Sequence, residues 1–247
     1  MLRNRYRYMK YKNKDVSNKN ELIFSYSKKE FKSPFRSTIP LIELVFENSD
    51  ILKEFIDYDN SYILVFEDET KALDGTGPAS CTDLRIYNSE KNYCIEAKRT
   101  EPKYETVKKY ISKDKRHESV VNGWLGLINK KCRTKLSIDN IWDCTYQMIH
   151  RFASACKVDG YTEMLYFCFD LCDRKQKYYE TELTKIKNIS NNKVPIRLIL
   201  FKTESTEQFR AIEKQWTDNK QRELSSEIIG AMAIKVMNIQ LDKIFNI

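Results

Sequence analysis

Two carboxylates and a lysine, close together in the sequence, carry the chemistry that this chain encodes most clearly. Asp83 is followed by Glu96 and Lys98, and the runs around them alternate like strands on either side of a polar turn. If these strands pair about the turn as an antiparallel hairpin, opposed position numbers sum to 179 and Asp83 faces Glu96. Opposed side chains have Cβ atoms roughly 4.5–5.5 Å apart. Lys98 shares the face of Glu96 because side chains alternate along a strand.

Carboxylates this close repel each other unless a proton or a cation lies between them. Mg²⁺ prefers oxygen ligands and binds through one or two carboxylates together with water and phosphate. A lysine beside such a site can stabilise charge on a phosphate, or orient or deprotonate an attacking water. The predicted hairpin therefore indicates a metal-dependent site for phosphodiester hydrolysis.

Asp83 followed by Glu96-x-Lys98 resembles the D…(D/E)-x-K signature of the PD-(D/E)XK superfamily, the restriction-endonuclease-like nucleases. Thr82 stands where the full signature has proline. The resemblance implies Mg²⁺-dependent cleavage of nucleic acid, with Mn²⁺ able to substitute. It also implies Asp83, Glu96 and the backbone carbonyl of Ala97 as metal ligands, and Lys98 as the catalytic lysine. The alternative interpretation is a solvated strand face that carries cross-strand charges.

The resemblance further implies an α/β fold with a restriction-endonuclease-like core, in which a mixed central sheet is flanked by helices. In that core a helix precedes a three-stranded meander, and a helix and another strand follow. The hydrophobic periodicity predicts the same order. The predicted elements are a helix over 38–56, strands over 61–67, 81–88 and 92–99, a helix over 139–158, strands over 162–169 and 195–202, and helices over 204–219 and 225–246.

These elements divide the chain into three parts. Residues 1–36 form a basic N-terminal arm, residues 37–202 form the nuclease-like core, and residues 203–247 form a C-terminal helical extension. The last predicted helix is apolar enough to need a partner surface, either the sheet or a second subunit.

Two predicted helices offer further candidates for the site. In several branches of the superfamily a glutamate on the first helix completes the metal site, and Glu43 or Glu47 matches it by position. Other branches carry a glutamine, sometimes as Q-x-x-x-Y, on the helix after the E-x-K strand, and Gln147 matches in part. We expect Gln147 to orient water or a metal ligand, and His150 and Arg151 to contact nucleic acid. For each, a solvated helix face is the alternative.

Basic residues outside the motif suit a polyanionic partner. The chain has 43 Lys and Arg against 35 Asp and Glu, a formal charge of +8, although a genome rich in lysine and asparagine codons would give the same bias. Arg3, Arg5 and Arg7 alternate with tyrosines and could contact phosphate and stack on bases, or form an edge strand or a tail. Lys108 and Lys109 begin a basic stretch that could hold the strand being cut.

Cysteine and histidine usage narrows the class of protein. The seven cysteines form no C-x-x-C pair and most lie in apolar runs, which indicates reduced thiols in a cytoplasmic protein. Two histidines are too few for a histidine-rich metal centre. We find no signal peptide or transmembrane run and expect no membrane partner.

The sequence therefore predicts a Mg²⁺-dependent endonuclease acting on duplex DNA, of the restriction or anti-phage defence type, working as a homodimer. One alternative is an inactive nuclease-like module that binds nucleic acid or protein in a defence or counter-defence system. The other is a relative that cuts RNA.

Overall fold

The computed structural model describes residues 8–56, 61–219 and 223–247. Eight strands form one mixed sheet, in the order β2-β1-β3-β4-β5-β6-β7-β8. The strands are β1 (Tyr8–Tyr11), β2 (Lys14–Asp15), β3 (Ile63–Thr70), β4 (Ser80–Tyr87), β5 (Lys91–Lys98), β6 (Tyr161–Phe169), β7 (Ile196–Ser205) and β8 (Met237–Asn246).

Helices lie between the strands and cover the sheet, so that the predicted α/β class is confirmed. A 3₁₀ turn at Lys28–Phe31 follows the first helix. The helices are α1 (Lys19–Ser25), α2 (Thr38–Glu47), α3 (Ser49–Leu52), α4 (Val107–Ile111), α5 (Arg116–Cys132), α6 (Ile138–Ile141), α7 (Tyr146–Ala155), α8 (Asp173–Ile189), α9 (Glu207–Asp218) and α10 (Ser225–Ala231).

The middle of the sheet is an antiparallel meander continued by parallel strands. β3, β4 and β5 pair antiparallel in chain order, and β6 then pairs parallel with β5. The connection from β5 to β6 runs through α4 to α7, as a parallel pair requires a crossover. β7 continues parallel to β6, and β1 lies parallel to β3 on the other side. Tyr8–Tyr11 therefore forms a strand, but it is not an edge strand, because it lies between β2 and β3.

Two hydrophobic cores lie on the two faces of the sheet. In β6, Leu165 and Phe167 pack into one core together with α1, α2 and α10, whereas Met164 and Tyr166 pack into the other together with α5, α7 and α8. A strand that is buried on both faces has no polar side, which explains the nearly continuous apolar run that predicted β6. Within the described ranges, no helix is long and apolar enough to cross a membrane.

The prediction of a helix over 225–246 is wrong for its second half. α10 ends at Ala231, and β8 then pairs antiparallel with β7. Met237, Ile239 and Leu241 alternate with polar residues, which is the period of a strand, and a register shift opposite Leu200 and Phe201 interrupts the alternation before Ile244. Because of this shift, the spacing of the apolar residues across the whole segment resembles the period of a helix. The predicted helical extension therefore contains the eighth strand of the sheet.

Two other predictions differ from the structure in detail. The helix expected over 139–158 is two helices, α6 and α7, and the helix expected over 38–56 is interrupted at Asn48, between α2 and α3. The charged stretch between the strands predicted over 162–169 and 195–202, to which no predicted element was assigned, forms the long helix α8. Its buried residues, which include Tyr179, Leu183 and Ile186, lie three and four apart on one side.

Candidate functional site

The hairpin of β4 and β5 has the predicted register. Position numbers of paired residues sum to 179 throughout, beginning with Leu84 opposite Ile95. One step further, the same register places Asp83 opposite Glu96, but the backbone pairing ends there. Asp83 Oδ2 instead accepts a hydrogen bond from the backbone N–H of Ala97, at 2.7 Å. The two carboxylates thus lie on the same face of the sheet, where the strands separate.

Glu96 is the centre of a buried ion-pair cluster. Its side chain and that of Lys98 are on the α7 side of the sheet, and the residues are only 2% and 3% exposed. Lys98 Nζ lies 2.7 Å from Glu96 Oε1, and Arg151 Nε of α7 lies 2.8 Å from Glu96 Oε2. The alternative of a solvated strand face is therefore wrong for this pair.

Lys98 carries a firmly held positive charge. Burial alone would lower the pKa of Lys98, but the charges of Glu96 and Asp83 outweigh burial and raise the pKa above its ordinary value. The ammonium also lies 5.1 Å from the ring centre of Tyr104, within the range of a cation–π contact. A lysine in this state can stabilise negative charge or orient a water molecule, but it is poorly suited to accepting a proton.

Asp83 has no cationic partner within the described part of the chain and sits beside the charge of Glu96. Burial, followed by the charge of Glu96, raises the pKa of Asp83 to about 7. The nearby charges of Arg151 and Lys98 and the N–H of Ala97 act in the opposite direction. Asp83 therefore gains a proton near neutral pH unless another positive charge stabilises its ionised form.

A third carboxylate, Glu67, adjoins this pair, and the sequence analysis missed it. The predicted first strand ended at 67, whereas β3 continues to Thr70. Phe66 pairs with Leu84 and Asp68 pairs with Thr82, so Glu67 stands opposite Asp83. The signal available in the sequence was an acidic residue in register with Asp83, in the run that continues the strand.

Glu67 has an unusual backbone and an unusual pKa. Its φ of 54° is in the left-handed region, which costs a residue with a Cβ about 1–2 kcal/mol, and the β3–β4 ladder is interrupted at this position. Burial, followed by the charge of Asp83, raises the pKa of Glu67 to about 8. Glu67, Asp83 and Glu96 therefore occupy neighbouring positions on three consecutive strands.

The side chains of the cluster match a hard divalent cation in donor type and charge. Carboxylate and carbonyl oxygens are the ligands that Mg²⁺ prefers, and Asp83, Glu96, Glu67 and the Ala97 carbonyl supply them. A buried hydroxyl group beside Glu96, that of Tyr166, has no hydrogen-bond partner among the described residues. Polar atoms left without a partner in a buried site are a feature of sites that hold an ion or water.

The cluster is not, however, a closed metal shell. Among the residues that the structure describes, no three His, Cys, Asp or Glu side chains form a group that could hold a metal ion. The two oxygens of Glu96 lie against the cations of Lys98 and Arg151. A cation bound in this cluster would therefore depend chiefly on the oxygens of Asp83, Glu67 and the Ala97 carbonyl.

A family model described as "Domain of unknown function (DUF6946)" matches residues 15–194. The chain belongs to the DUF6946 family. None of the curated proteins and none of the solved structures matches the chain. The part matched by the DUF6946 model runs from β2 to the loop before β7 and contains the whole cluster around Glu96.

Of the candidates on α7, Gln147 and His150 lie on the helix face that Arg151 shares. In this DUF6946 protein Gln147 is half-buried, and no described residue forms a hydrogen bond with its side chain. His150 Nδ1 lies 2.9 Å from Ser80 Oγ. Burial, followed by the charges of Arg151 and Lys98, lowers the pKa of His150 well below its ordinary value. His150 is therefore neutral and unsuited to pairing with phosphate as a cation.

Arg151 contacts the protein rather than solvent. Besides its ion pair with Glu96, the guanidinium donates to Ser80 Oγ at 3.1 Å and to the backbone carbonyl of Cys81. Ser80 and Cys81 belong to β4, and Glu96 belongs to β5. The described contacts of Arg151, made through Nε and one terminal nitrogen of the guanidinium, therefore hold the two strands of the hairpin.

The two glutamates predicted on the first helix do not reach this cluster. α2 packs into the core on the opposite face of the sheet. Glu43 is fully buried, lies 2.6 Å from Lys19 Nζ and accepts a hydrogen bond from the N–H of Val236. Glu47 lies 3.3 Å from the same ammonium group. Both carboxylates thus join α2 to α1, a structural role that differs from the expected one.

The basic residues predicted to bind nucleic acid fall into two groups. Arg3, Arg5 and Arg7 lie outside the described residues. Lys108 and Lys109 are exposed on α4. The segment leading to α4 passes the cluster, because Tyr104 contacts Lys98. The segment that joins β5 to α4 therefore carries exposed positive charge a few residues after it passes the cluster around Glu96.

Proposed function

We propose that this DUF6946 protein is a Mg²⁺-dependent endonuclease that hydrolyses phosphodiester bonds in DNA. The observation that carries the proposal is the placement of Asp83 opposite Glu96 where β4 and β5 separate, with the ammonium of Lys98 buried against Glu96. A pair of carboxylates with a fixed positive charge beside them is suited to holding a divalent cation and a phosphate together.

The order of elements around the pair supports the proposal. α2 precedes the antiparallel meander β3–β4–β5, which carries Asp83 and Glu96, and α7 and the parallel strand β6 follow. α2 and α7 cover opposite faces of the sheet. This is the arrangement that the resemblance to PD-(D/E)XK nucleases implies, although fold alone does not establish an activity.

The roles follow from the positions of the side chains. Asp83, Glu96 and the backbone carbonyl of Ala97 would hold Mg²⁺. A bound Mg²⁺ polarises a scissile phosphate and lowers the pKa of a bound water molecule. Lys98, which stays protonated, stabilises the negative charge that develops on the phosphate and orients the attacking water. Arg151 positions Glu96.

Duplex DNA is the substrate class that we favour. The net charge of +8 and the exposed lysines of α4, Lys108 and Lys109, suit a polyanion whose phosphates are spaced along a rod. Cutting both strands of a duplex with one such site per chain would require two copies, so we propose that the protein acts as a homodimer.

Incubation of the purified protein with supercoiled plasmid, linear duplex DNA and single-stranded RNA tests this function. Each substrate is offered with Mg²⁺, with Mn²⁺ and with EDTA, and Asp83→Asn serves as the matched variant because it keeps the size of the side chain. We expect plasmid cleavage with either metal and none with EDTA or with the variant. Cleavage of RNA alone would move the proposal to a ribonuclease, and absence of cleavage on every substrate would contradict it.

One observation favours the alternative of a module that binds nucleic acid without cutting. Glu96 Oε1 accepts a hydrogen bond from Lys98, and Glu96 Oε2 lies 2.8 Å from Arg151 Nε, so cations of the protein already balance the charge of this carboxylate. Such a module would bind DNA equally well with Mg²⁺ and with EDTA, and binding measured by fluorescence anisotropy would separate the two functions. Affinity for DNA that is independent of metal, together with absence of cleavage, would establish the binding module.

A further inference from the structure

The three carboxylates of the cluster are not equivalent. Glu96 is paired with Lys98 and Arg151, whereas neither Glu67 nor Asp83 forms an ion pair with a described residue. Unpaired carboxylates that are partly buried and face each other carry a strong electrostatic cost. The charge left unbalanced in this cluster therefore lies between Glu67 and Asp83, on β3 and β4.

The backbone brings these two side chains together in a particular way. The pairs on either side of position 67 fix Glu67 opposite Asp83, yet the two residues do not pair through their backbones. Glu67 has left-handed φ there, and Asp68 then contacts Arg85 and Lys157. Left-handed φ in a residue with a Cβ persists only where the surrounding structure imposes it.

A buried hydroxyl group provides an independent observation at the same place. Tyr26 is 6% exposed, its ring is fixed against Tyr11 and Phe31, and no described group forms a hydrogen bond with its hydroxyl. The charges that act on this hydroxyl most strongly are those of Glu67 and Asp83, which together with burial raise the pKa of Tyr26 well above its ordinary value. Tyr11, whose ring centre lies 4.7 Å from that of Tyr26, pairs with Phe66, the residue before Glu67, so the unpartnered hydroxyl group belongs to a side chain packed beside this end of β3.

We propose that a divalent cation of the Mg²⁺ class binds between Glu67 and Asp83, with the hydroxyl of Tyr26 bonded to its water shell. The proposal rests on the proposed function for the identity of the cation, and it assigns a ligand that the D…E-x-K motif does not contain. Glu67, on β3, supplies the additional carboxylate that was expected from the first helix.

Mn²⁺ binding to the metal-free protein tests this site without any reference to cleavage. Free Mn²⁺ is measured by electron paramagnetic resonance during titration of wild type, Glu67→Gln, Tyr26→Phe and Glu69→Gln. Glu69 is the matched control because it is two residues away on the same strand and pairs with Lys12 at the surface. We expect Glu67→Gln to lower the Mn²⁺ affinity at least about tenfold, Tyr26→Phe to lower it about two- to tenfold, and Glu69→Gln to leave it unchanged.

Correct folding is checked by thermal melting in EDTA. Glu67→Gln removes a partly buried, unpaired carboxylate, so its melting temperature should equal or exceed that of the wild type. If that variant does not fold, Glu67→Gly takes its place, because glycine suits the left-handed backbone.

The outcomes separate this site from the nuclease proposal. Wild-type affinity for Mn²⁺ in the Glu67 variant would overturn the inference, and metal-dependent DNA cleavage by the wild type would then leave the proposed function standing. Weakened Mn²⁺ binding in a protein that cuts no nucleic acid would support the site and overturn the nuclease. A wild type that binds no Mn²⁺ at millimolar concentration would overturn the inference.

Discussion

Arg151 Nε lies 2.8 Å from Glu96 Oε2, and this ion pair connects α7 to the strand that carries the E-x-K run. The same guanidinium donates to Ser80 and Cys81 of β4. One helical side chain therefore fixes the ends of both strands on which Asp83 and Glu96 lie. Arg151 is accordingly assigned the role of positioning the acidic pair rather than that of binding phosphate.

Replacement of Arg151 by methionine should destabilise the protein by about 3–5 kcal/mol. The variant leaves one oxygen of a buried carboxylate without its cation and removes the donor to Ser80 and Cys81, and broken buried pairs cost free energies of this size. Urea unfolding followed by circular dichroism measures the change. Arg174→Met, at an exposed position of α8, is the control and should change the free energy of unfolding by less than about 0.5 kcal/mol. Equal stability of the two variants would contradict the assigned role.

Without divalent metal, stability should fall as the pH rises from 6.5 to 8.5. Asp83 and Glu67 have pKa values of about 7 and about 8 in the folded protein, above the ordinary values that apply to the unfolded chain. The folded state therefore binds more protons, and its stability is lost as the pH rises through these values, by on the order of 1 kcal/mol. The pH range begins at 6.5 because His150 acts in the opposite direction below that pH. Its pKa is lowered in the folded protein, so protonation of the unfolded chain makes the protein less stable as the pH falls.

Melting temperatures in EDTA and in saturating MgCl₂ measure this pH dependence. We expect Mg²⁺ to raise the melting temperature more at pH 8.5 than at pH 6.5, because protons and metal compete for the same carboxylates. Asp83→Asn should flatten the profile in EDTA. A wild-type profile that rises with pH, or one that Asp83→Asn leaves unchanged, would contradict the assignment.

Lys19→Met should destabilise the protein by about 3 kcal/mol or more while leaving Mn²⁺ affinity unchanged. Lys19 is the cation of the fully buried Glu43, whose pKa burial already raises, and the variant leaves that carboxylate unpaired. Chemical unfolding and Mn²⁺ titration measure the two quantities on the same sample. A folded Lys19→Met protein that has lost Mn²⁺ binding would restore Glu43 to the metal site, as the sequence had suggested.

The sequence was sufficient to predict the hairpin because two short-range signals agreed. Strand alternation determines which side chains share a face, and the polar turn determines the register, so the opposition of Asp83 and Glu96 follows from both. The run of β6 was equally clear, because a strand buried on both faces is apolar throughout.

Other parts of the site depend on contacts between distant segments. Glu43 resembles a ligand by position, and its partner Lys19 belongs to a segment that composition suggested was a basic arm. Glu67 was missed because the apolar run of β3 ends at Phe66, and the left-handed backbone at Glu67 cannot be read from the sequence. β8 was predicted as a helix because a register shift opposite β7 breaks its period of two. None of these features can be found from local periodicity alone.

The rate of plasmid nicking in Mg²⁺ by wild type and by Lys98→Met tests whether the buried lysine beside Glu96 takes part in hydrolysis. Methionine keeps most of the length of the buried side chain and removes only its charge. Lys177→Met, at an exposed position of α8, is the matched control. We expect Lys98→Met to lower the rate about 10²–10³-fold and Lys177→Met to nick plasmid within about twofold of the wild-type rate. A folded Lys98→Met protein that nicks plasmid at the wild-type rate would show that the E-x-K lysine takes no part in catalysis.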